Sequence, residues 1–185
     1  MDYDRLIDAQ TWAFIKASED AYPPDAATLS IAQQRAIYDT MCRAFHRGYP
    51  DGITAQDCPI AGVMCRVFAG AQPAIIYLHG GGWTIGDLDT HDVLCRSLCL
   101  QAEVVVVSVD YRMGPEHKFP AAYDDTVAAF NWTVAHAASL GIDASRIAIG
   151  GDSAGGNLAA AACLGLRGQS VQPAFQLLIY PATIM

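Results

Sequence analysis

The sequence predicts an α/β fold in which an open, mostly parallel sheet carries helices on both faces. Three continuous apolar runs indicate strands covered on both sides, namely "PAIIYLH" at 73–79, "VVVVSVD" at 104–110 and "RIAIGG" at 146–151. Segments with helical spacing separate these runs, so strands and helices alternate along the chain. Alternation of this kind is typical of parallel strands joined by crossover helices.

Two helices are expected ahead of the first strand, around 6–15 and over about 31–47. The stretch "VMCRVF" at 63–68 then alternates between apolar and polar residues like a half-buried strand. Helices that precede any strand can form a lid or a packing layer. We therefore divide the chain into an N-terminal helical cap segment, residues 1–48, and a sheet core, residues 49–185.

Further helices are predicted over 90–102, with Thr90 as N-cap, over 120–141 and over 153–168. The strand "AFQLLIY" at 174–180 is the last element of the alternation. Because no later strand is predicted beside it, we expect an open hydrophobic sheet edge through which the chain self-associates.

Composition limits the classes of partner. The chain has 185 residues, of which 52% are hydrophobic, and a formal charge of −8, which argues against nucleic acid or an anionic membrane as partner. We find no signal peptide, and the apolar runs are too short to span a bilayer. None of the six cysteines forms a C-x-x-C pair, so we expect reduced, buried thiols in a cytoplasmic protein, without a metal site; a zinc or disulfide role for Cys95 and Cys99, one helical turn apart, is the alternative.

A serine flanked by glycines stands where a strand passes into a helix. The stretch "GGDSAGG" contains Gly151-x-Ser153-x-Gly155. In this setting the pattern predicts a nucleophile elbow, a sharp turn that lifts a serine oxygen above the sheet edge. The glycines are needed because a Cβ would collide with the neighbouring chain. The helix that starts here directs its N-terminal dipole at the serine and at any oxyanion formed.

Three glycines follow the strand at 73–79, in "HGGGW" at 79–83. Backbone N–H groups without obstructing side chains can be aimed at the negative oxygen of a tetrahedral intermediate. Gly81 and Gly82 are candidate donors, and the N–H of Ala154 is a third. A phosphate-binding glycine loop is the alternative, but no Lys-Ser/Thr follows and no G-x-G-x-x-G spacing occurs. A plain tight turn is the other alternative.

In this order, on successive strand ends, the two motifs resemble the hormone-sensitive-lipase family of α/β-hydrolases. The resemblance covers nearly the whole chain and is carried by "HGGGW" (79–83), "DYR" (110–112), "PEHKFPAAYDD" (115–125) and "GDSAGGNLA" (151–159). It implies an α/β-hydrolase fold and, from the bacterial members, a carboxylesterase acting on short to medium acyl esters. It implies a small-molecule ester as partner and no cofactor.

The resemblance also implies roles for individual residues. Ser153 is the implied nucleophile, and the implied oxyanion hole consists of Gly81, Gly82 and Ala154. Trp83 would line the acyl pocket, with the N-terminal helices forming part of a cap over it. Other positions are implied to shape the site without reacting: His79, Gly80, Asp110, Tyr111, Arg112, Gly151, Asp152 and Gly155.

The catalytic triad of the family is incomplete in this sequence. Its order is Ser, then Asp or Glu, then His, yet residues 154–185 contain no acidic residue and no histidine. We interpret the chain as a hydrolase fold that is incomplete after the strand following the nucleophile helix. Without a base the serine is a weak nucleophile, so the chain alone is expected to be nearly inactive. His91 and His117, near the strand tips, are candidate surrogate bases, with an ordinary structural role as the alternative for each.

Two other functions stay open from the sequence. A non-catalytic small-molecule binder of the same fold has no need of an oxyanion hole, so the intact glycine motifs count against it. Amide hydrolysis uses the same nucleophile and the same oxyanion hole as ester hydrolysis, so the sequence does not separate these two reactions.

Overall fold

The computed structural model describes residues 6–69 and 73–183. Its centre is a six-stranded sheet with the spatial order β1-β2-β4-β3-β5-β6. The strands are β1 (Ala55–Ile60), β2 (Val63–Phe68), β3 (Ala74–Leu78), β4 (Val105–Val109), β5 (Ile147–Asp152) and β6 (Phe175–Ile179). β1 and β2 pair antiparallel with each other, and β2 pairs antiparallel with β4. The pairs between β4, β3, β5 and β6 are all parallel, which confirms the predicted sheet.

Helices cover both faces of this sheet. The α-helices are α1 (Ala9–Ala21), α2 (Ile31–Ala44), α3 (Asp92–Ala102), α4 (Ala121–Ala135) and α5 (Ala154–Gly165), of which α3 packs on one face of the sheet and α4 and α5 on the other. On β3, Ile76 belongs to the same core cluster as Phe130 of α4 and Leu158 of α5. Its neighbour Tyr77 belongs to the cluster on the other face, with Cys95 of α3. Successive strand residues point to opposite faces, which explains why these strands are apolar throughout.

Strand β1 was not predicted, and several helix ends differ from the prediction: α1 extends to Ala21, α5 ends at Gly165, and the start of α3 and the end of α4 also differ. β1 contains Pro59, which is tolerated because the strand lies at the sheet edge. Thr90 is not the N-cap of α3: that position is His91, because the Thr90 hydroxyl is engaged with the backbone N–H and C=O of Asp87. α4 ends at Ala135, six residues before Gly141, and turns fill the interval.

The two N-terminal helices pack on each other and are tied to the loops above the sheet. The rings of Phe14 and Phe45 lie 5.0 Å apart, yet neither helix has a fully buried residue. Arg35 of α2 donates to the carbonyl oxygens of Thr84 (2.8 Å) and Gly114 (3.0 Å). The segment therefore contacts the core mainly through polar anchors. Its role as a cap and its boundary at residue 48 stay predictions.

Strand β6 is the outermost strand on its side of the sheet among the described residues. Phe175 is 66% exposed and Leu178 is 37% exposed, with Tyr180 beyond them at 73%. An edge of this kind presents unpaired backbone groups beside apolar side chains. The structure thus has the open hydrophobic edge that the sequence predicts, while self-association through it stays a prediction.

None of the helices within 6–69 and 73–183 combines the length and the apolar character required to cross a bilayer. All six cysteines are free thiols, and Cys65, Cys95 and Cys99 are buried. Over the same two ranges, no three His, Cys, Asp or Glu side chains are grouped as metal ligands would be. The cytoplasmic location stays a prediction.

Candidate active site

Ser153 occupies the sharp turn between β5 and α5. Its backbone has φ 50° and ψ −115°, a conformation that residues other than glycine rarely adopt. The turn is fixed on both sides, because the Ser153 N–H donates to the carbonyl of Ile179 (2.9 Å) and its carbonyl accepts from the N–H of Asn157 (3.0 Å). No side chain of the described residues hydrogen-bonds the Ser153 hydroxyl. The hydroxyl therefore belongs to a fixed backbone and has no hydrogen-bond partner within 6–69 and 73–183.

The two glycines around Ser153 allow α5 and β5 to approach β3 closely. A Cβ on Gly151 would lie 2.3 Å from the carbonyl oxygen of Leu78, and one on Gly155 would lie 1.9 Å from the same atom. Both distances are far below van der Waals contact, and the obstructing atom is backbone. The collision inferred from the sequence is thus present, and β3 is its source.

Residues 79–86, called the glycine loop below, follow β3 and turn back on themselves. Gly81 (φ 120°), Gly82 (φ 59°) and Trp83 (φ 60°) all have positive φ. The carbonyl of Gly81 accepts from the N–H groups of Thr84 (3.1 Å) and Ile85 (3.0 Å), which closes a tight turn. Across the described ranges, the N–H groups of Gly81 and Gly82 donate to no protein acceptor. Gly82 is exposed and has open space where a Cβ would be.

Asp152 joins the glycine loop to the serine turn. Its Oδ1 accepts from the Tyr77 hydroxyl (2.8 Å) and from the Gly80 N–H (3.1 Å), and it lies 3.3 Å from Nε2 of His91. Burial opposes ionisation of Asp152, but the hydrogen bonds from His91 and Tyr77 outweigh it and lower its pKa. Gly80 must be glycine here, because a Cβ would lie 2.1 Å from the Asp152 carboxylate. One buried carboxylate thus fixes both predicted motifs relative to each other.

His79 is a buried neutral side chain beneath the glycine loop. Its ring stacks on that of Tyr111 at 4.3 Å, and the Tyr111 hydroxyl donates to the His79 carbonyl (2.7 Å). Nδ1 of His79 lies 2.7 Å from the Gly80 carbonyl, which makes Nδ1–H the donor. Burial, with the nearby His91, lowers the pKa of His79 to about 4. An imidazole packed in this way supports the loop, and its non-reacting role stays a prediction.

The "DYR" stretch contributes further contacts around the site. Arg112 binds Asp125 of α4 through its backbone N–H (2.9 Å) and through its guanidinium group, whose shortest bond is 2.7 Å. This pair fixes the start of α4 to the end of β4. Burial, together with Asp87, raises the pKa of Asp110 to about 6. Tyr111 and Arg112 thus hold loops in place through these hydrogen bonds, and their role in shaping an active site stays a prediction.

A cavity of about 540 Å³ opens beside the serine turn. Trp83 of the glycine loop and Tyr123 of α4 form part of its wall, and Asn157 and Leu158 of α5 contribute another part. Asn157 lies one helical turn beyond Ser153, so the cavity is close to the predicted nucleophile, although Ser153 itself does not line it. Its volume falls within the range of about 300–1,000 Å³ that is usual for small-molecule sites.

The two histidines considered as surrogate bases have different surroundings. His91 is 6% exposed, and its Nε2 lies against Asp152 and the Gly80 N–H. His117 is exposed and lines the cavity. Neither is hydrogen-bonded to Ser153, so the described residues bring together the glycine loop and the serine turn without a base hydrogen-bonded to the serine.

Sequence reasoning missed the side chains that support the site from a distance. Tyr77 and Asp125 are the hydrogen-bonding partners of predicted residues, and Arg35 holds the loop after β3. The tyrosine inside the otherwise aliphatic strand "AIIYL" indicated that Tyr77 could have a buried polar partner. Arg35 carried no such signal, because arginine on an exposed helix is ordinary.

Comparison with known proteins agrees with this geometry. A family model described as alpha/beta hydrolase fold matches residues 75–185. Carboxylic ester hydrolase LipN of Mycobacterium tuberculosis is 50% identical over 120 residues, which are 62% of this chain and 32% of LipN. Carboxylesterase NlhH of the same organism is 48% identical over 138 residues, 74% of this chain and 42% of NlhH.

Solved structures give the same relationship. An esterase from the bacterial hormone-sensitive lipase family is 35% identical with a TM-score of 0.78, and the alignment covers 91% of this chain and 57% of that one. The carboxylesterase EstE1, cloned from a metagenomic library, is 39% identical with a TM-score of 0.77, over 86% and 57% of the two chains. The chain thus spans a third to two fifths of these curated relatives. Sequence and fold together make it a member of the α/β-hydrolase family, within the group that resembles hormone-sensitive lipase.

Proposed function

We propose that the chain carries the nucleophile and the oxyanion hole of a carboxylic ester hydrolase. The observation that carries this proposal is Ser153, held at φ 50° beside a loop whose Gly81 and Gly82 N–H groups have no protein acceptor in the described residues. In the proposed reaction Ser153 Oγ attacks the ester carbonyl, the alcohol leaves, and water then releases the acid from the acyl-enzyme.

The glycine loop and the first turn of α5 are proposed to stabilise the tetrahedral intermediate. Gly81, Gly82 and Ala154 would donate their N–H groups to the oxyanion. Loss of one such donor costs about 2.7–4 kcal/mol of barrier in other enzymes. The buried bonds of Asp152 support this role, because donors that are fixed in advance need no reorganisation during the reaction.

The proton acceptor is proposed to come from outside the 185 residues. His91 is committed to Asp152, and no histidine or acidic residue follows Ser153 in the sequence. In serine hydrolases the loss of the base lowers the rate by several orders of magnitude. The proposal therefore predicts a chain that reacts slowly by itself and is assisted by an added base.

The substrate class is proposed to be esters with short to medium acyl groups. The cavity beside Ser153, at about 540 Å³, accepts a group of this size, and Trp83 supplies part of its apolar wall. The relatives named carboxylesterase and ethyl acetate hydrolase support ester hydrolysis as the reaction.

Chemical rescue tests the proposal on this chain. p-Nitrophenyl butyrate is incubated with the protein across a range of imidazole concentrations, and p-nitrophenol release is followed. We expect an imidazole-dependent rate above that of the Ser153→Ala variant, which corrects for hydrolysis by imidazole itself. Ser139→Ala, which makes the same change at an exposed position, should behave like the wild type.

Covalent labelling supplies the second measurement. An alkyl fluorophosphonate should add to Ser153, as mapped by peptide mass spectrometry, and imidazole should accelerate the addition. Equal rates for wild type and Ser153→Ala, with no adduct at Ser153, would refute the proposal. Tight binding of the ester under those conditions would then favour a non-catalytic binder.

A further inference from the structure

Arg35 is a side chain of α2 that binds two separate loops of the sheet core at once. Its Nε donates to the Thr84 carbonyl (2.8 Å) in the glycine loop. Its Nη2 donates to the Gly114 carbonyl (3.0 Å) in residues 110–120, called the β4–α4 loop below. Both loops line the cavity of about 540 Å³, the first through Trp83 and Thr84 and the second through Gly114 and residues 117–119. The proposed reaction gives Arg35 no task.

A backbone hydrogen bond joins the same two loops beside the guanidinium group. The Gly114 N–H donates to the Trp83 carbonyl (2.8 Å). Arg35 binds the carbonyl of Thr84, the residue after this acceptor, and the carbonyl of Gly114, the donor residue itself. Hydrogen bonds from a charged donor are roughly twice as strong as neutral ones. The two bonds from Arg35 therefore reinforce the contact between the loops.

Glu116 of the β4–α4 loop orients the guanidinium group. Its two carboxylate oxygens accept from Nη1 (3.1 Å) and Nη2 (2.9 Å) of Arg35. The guanidinium lowers the pKa of Glu116, so this carboxylate is ionised at neutral pH. The side chains of Arg35 and Glu116 are 32% and 54% exposed, so the ion pair by itself contributes little to stability. Its effect is geometric, because a bidentate pair fixes the plane of the guanidinium and directs the remaining N–H groups at the two carbonyls.

We propose that Arg35 is a positioning residue: it holds the glycine loop against the β4–α4 loop, fixes these two parts of the cavity wall relative to each other, and thereby favours esters whose acyl group fills the cavity. The preference among esters rests on the proposed function, whereas the contact between the loops rests on the hydrogen bonds alone. Lysine is no substitute, because one ammonium group lacks the rigid fork that reaches two carbonyls and a carboxylate together.

Amide hydrogen exchange of the 185-residue chain, followed by NMR, tests the contact without any reaction. In Arg35→Gln the Gly114 amide should exchange faster by about tenfold or more, because charged hydrogen bonds that keep the loops together are lost. Amides of the central strand β3 should keep their wild-type rates, and Arg35→Lys should resemble Arg35→Gln. Arg43→Gln is the matched control, since Arg43 lies on the same helix and pairs with Asp39 and Asp89. Its Gly114 amide should exchange as in the wild type.

A general role in stability predicts a different result, in which exchange accelerates in β3 as much as at Gly114. That pattern, an unchanged Gly114 amide in Arg35→Gln, or full rescue by Arg35→Lys would overturn the proposal. If Arg35→Gln does not fold, Glu116→Gln decides, because it loosens the guanidinium and leaves both carbonyl acceptors in place. The Gly114 amide of Glu116→Gln should then exchange faster than in the wild type with β3 unchanged, and an unaltered rate would count against the proposal.

Ester binding connects the contact to the proposed function. In a Ser153→Ala background, which cannot form an acyl-enzyme, ethyl hexanoate and ethyl acetate are titrated while the indole N–H signal of Trp83 is followed by NMR. Adding Arg35→Gln should weaken the binding of ethyl hexanoate by about 2- to 10-fold, because a looser wall must be ordered on binding, and should leave ethyl acetate nearly unchanged.

An unaltered preference for ethyl hexanoate would overturn the selective role of Arg35. If neither ester shifts the Trp83 signal in the Ser153→Ala parent, the proposed substrate class fails, while the exchange rates still decide whether Arg35 holds the loops together. The two failures are thus distinguishable.

Discussion

Replacement of Gly155 by alanine tests the close contact between α5 and β3. The added Cβ would lie 1.9 Å from the Leu78 carbonyl oxygen and 2.5 Å from its carbonyl carbon, whereas real Cβ atoms essentially never come within 3.0 Å. Because the obstructing atoms are backbone, the helix or the strand must move by about 1 Å. Overpacking of this kind costs about 1–3 kcal/mol, and the rigid obstacle puts Gly155→Ala at the upper end.

The gain in helix propensity from alanine, about 0.5–1 kcal/mol, offsets part of this cost. The expected net loss is about 2 kcal/mol, which lowers the Tm of a domain of this size by about 4–8 °C. Thermal unfolding followed by circular dichroism measures it. Gly165→Ala is the matched control: its Cβ would also lie 1.9 Å from an atom, but that atom is the hydroxyl of Tyr123, whose flexible side chain can rotate away.

We expect the Gly165→Ala protein to melt within about 2–4 °C of the wild type, because the propensity gain and the displaced side chain nearly cancel. The reasoning is refuted if Gly155→Ala melts like the wild type, or if both alanine variants lose the same stability. Equal losses would mean that the contact distance alone sets the loss of stability, whatever atom obstructs the Cβ. A wild-type Tm for Gly155→Ala would mean that helix propensity alone sets it.

The remaining predictions concern pH and association. The folded-state pKa of His79, about 4, lies below its ordinary value of 6.5, so the unfolded chain binds more protons between these pH values. His79 therefore withdraws about 3 kcal/mol of stability as the pH falls through that window. Urea unfolding from pH 4 to 7 should show a shallower acid loss in His79→Asn; parallel curves for the two proteins would contradict the cause given. Burial raises the pKa values of Asp39 and Asp110 to about 6, so these two groups stabilise the folded protein as the pH falls. The contribution of His79 is therefore taken from the difference between the wild-type and His79→Asn curves. Along β6, Phe175→Lys should shift the chain from oligomer toward monomer in analytical ultracentrifugation, and a wild-type chain that is already monomeric would disprove self-association through this edge.

The central sheet was predictable because its strands are buried on both faces. Such strands read as continuous apolar runs, and the glycine patterns at their ends have strict steric causes, as at Gly151 and Gly155. β1 escaped prediction since its sequence "AQDCPI" is polar and contains proline, and only its pairing with β2 makes it a strand. Tertiary partners override local propensity at such an edge.

The support of the site was less predictable than its motifs. Local sequence identifies Ser153 and the glycines, because a turn or a close approach requires particular residues at fixed spacing. It does not identify the hydrogen-bond partners of Tyr77, His91 or Arg35, which lie far away along the chain. Long-range hydrogen bonds have no periodicity, so they emerge only from the fold.

The backbone of Ser153 has a consequence for how this sequence changes over generations. A side chain at φ 50° and ψ −115° costs of order 1–3 kcal/mol that a glycine would not. Stability alone therefore favours losing the side chain, and replacement by glycine would relieve the strain. If Ser153 is the nucleophile we propose, selection for its reactivity opposes that drift in every generation. Among related sequences that no longer need catalysis, replacement of Ser153 is thus the first change to be expected.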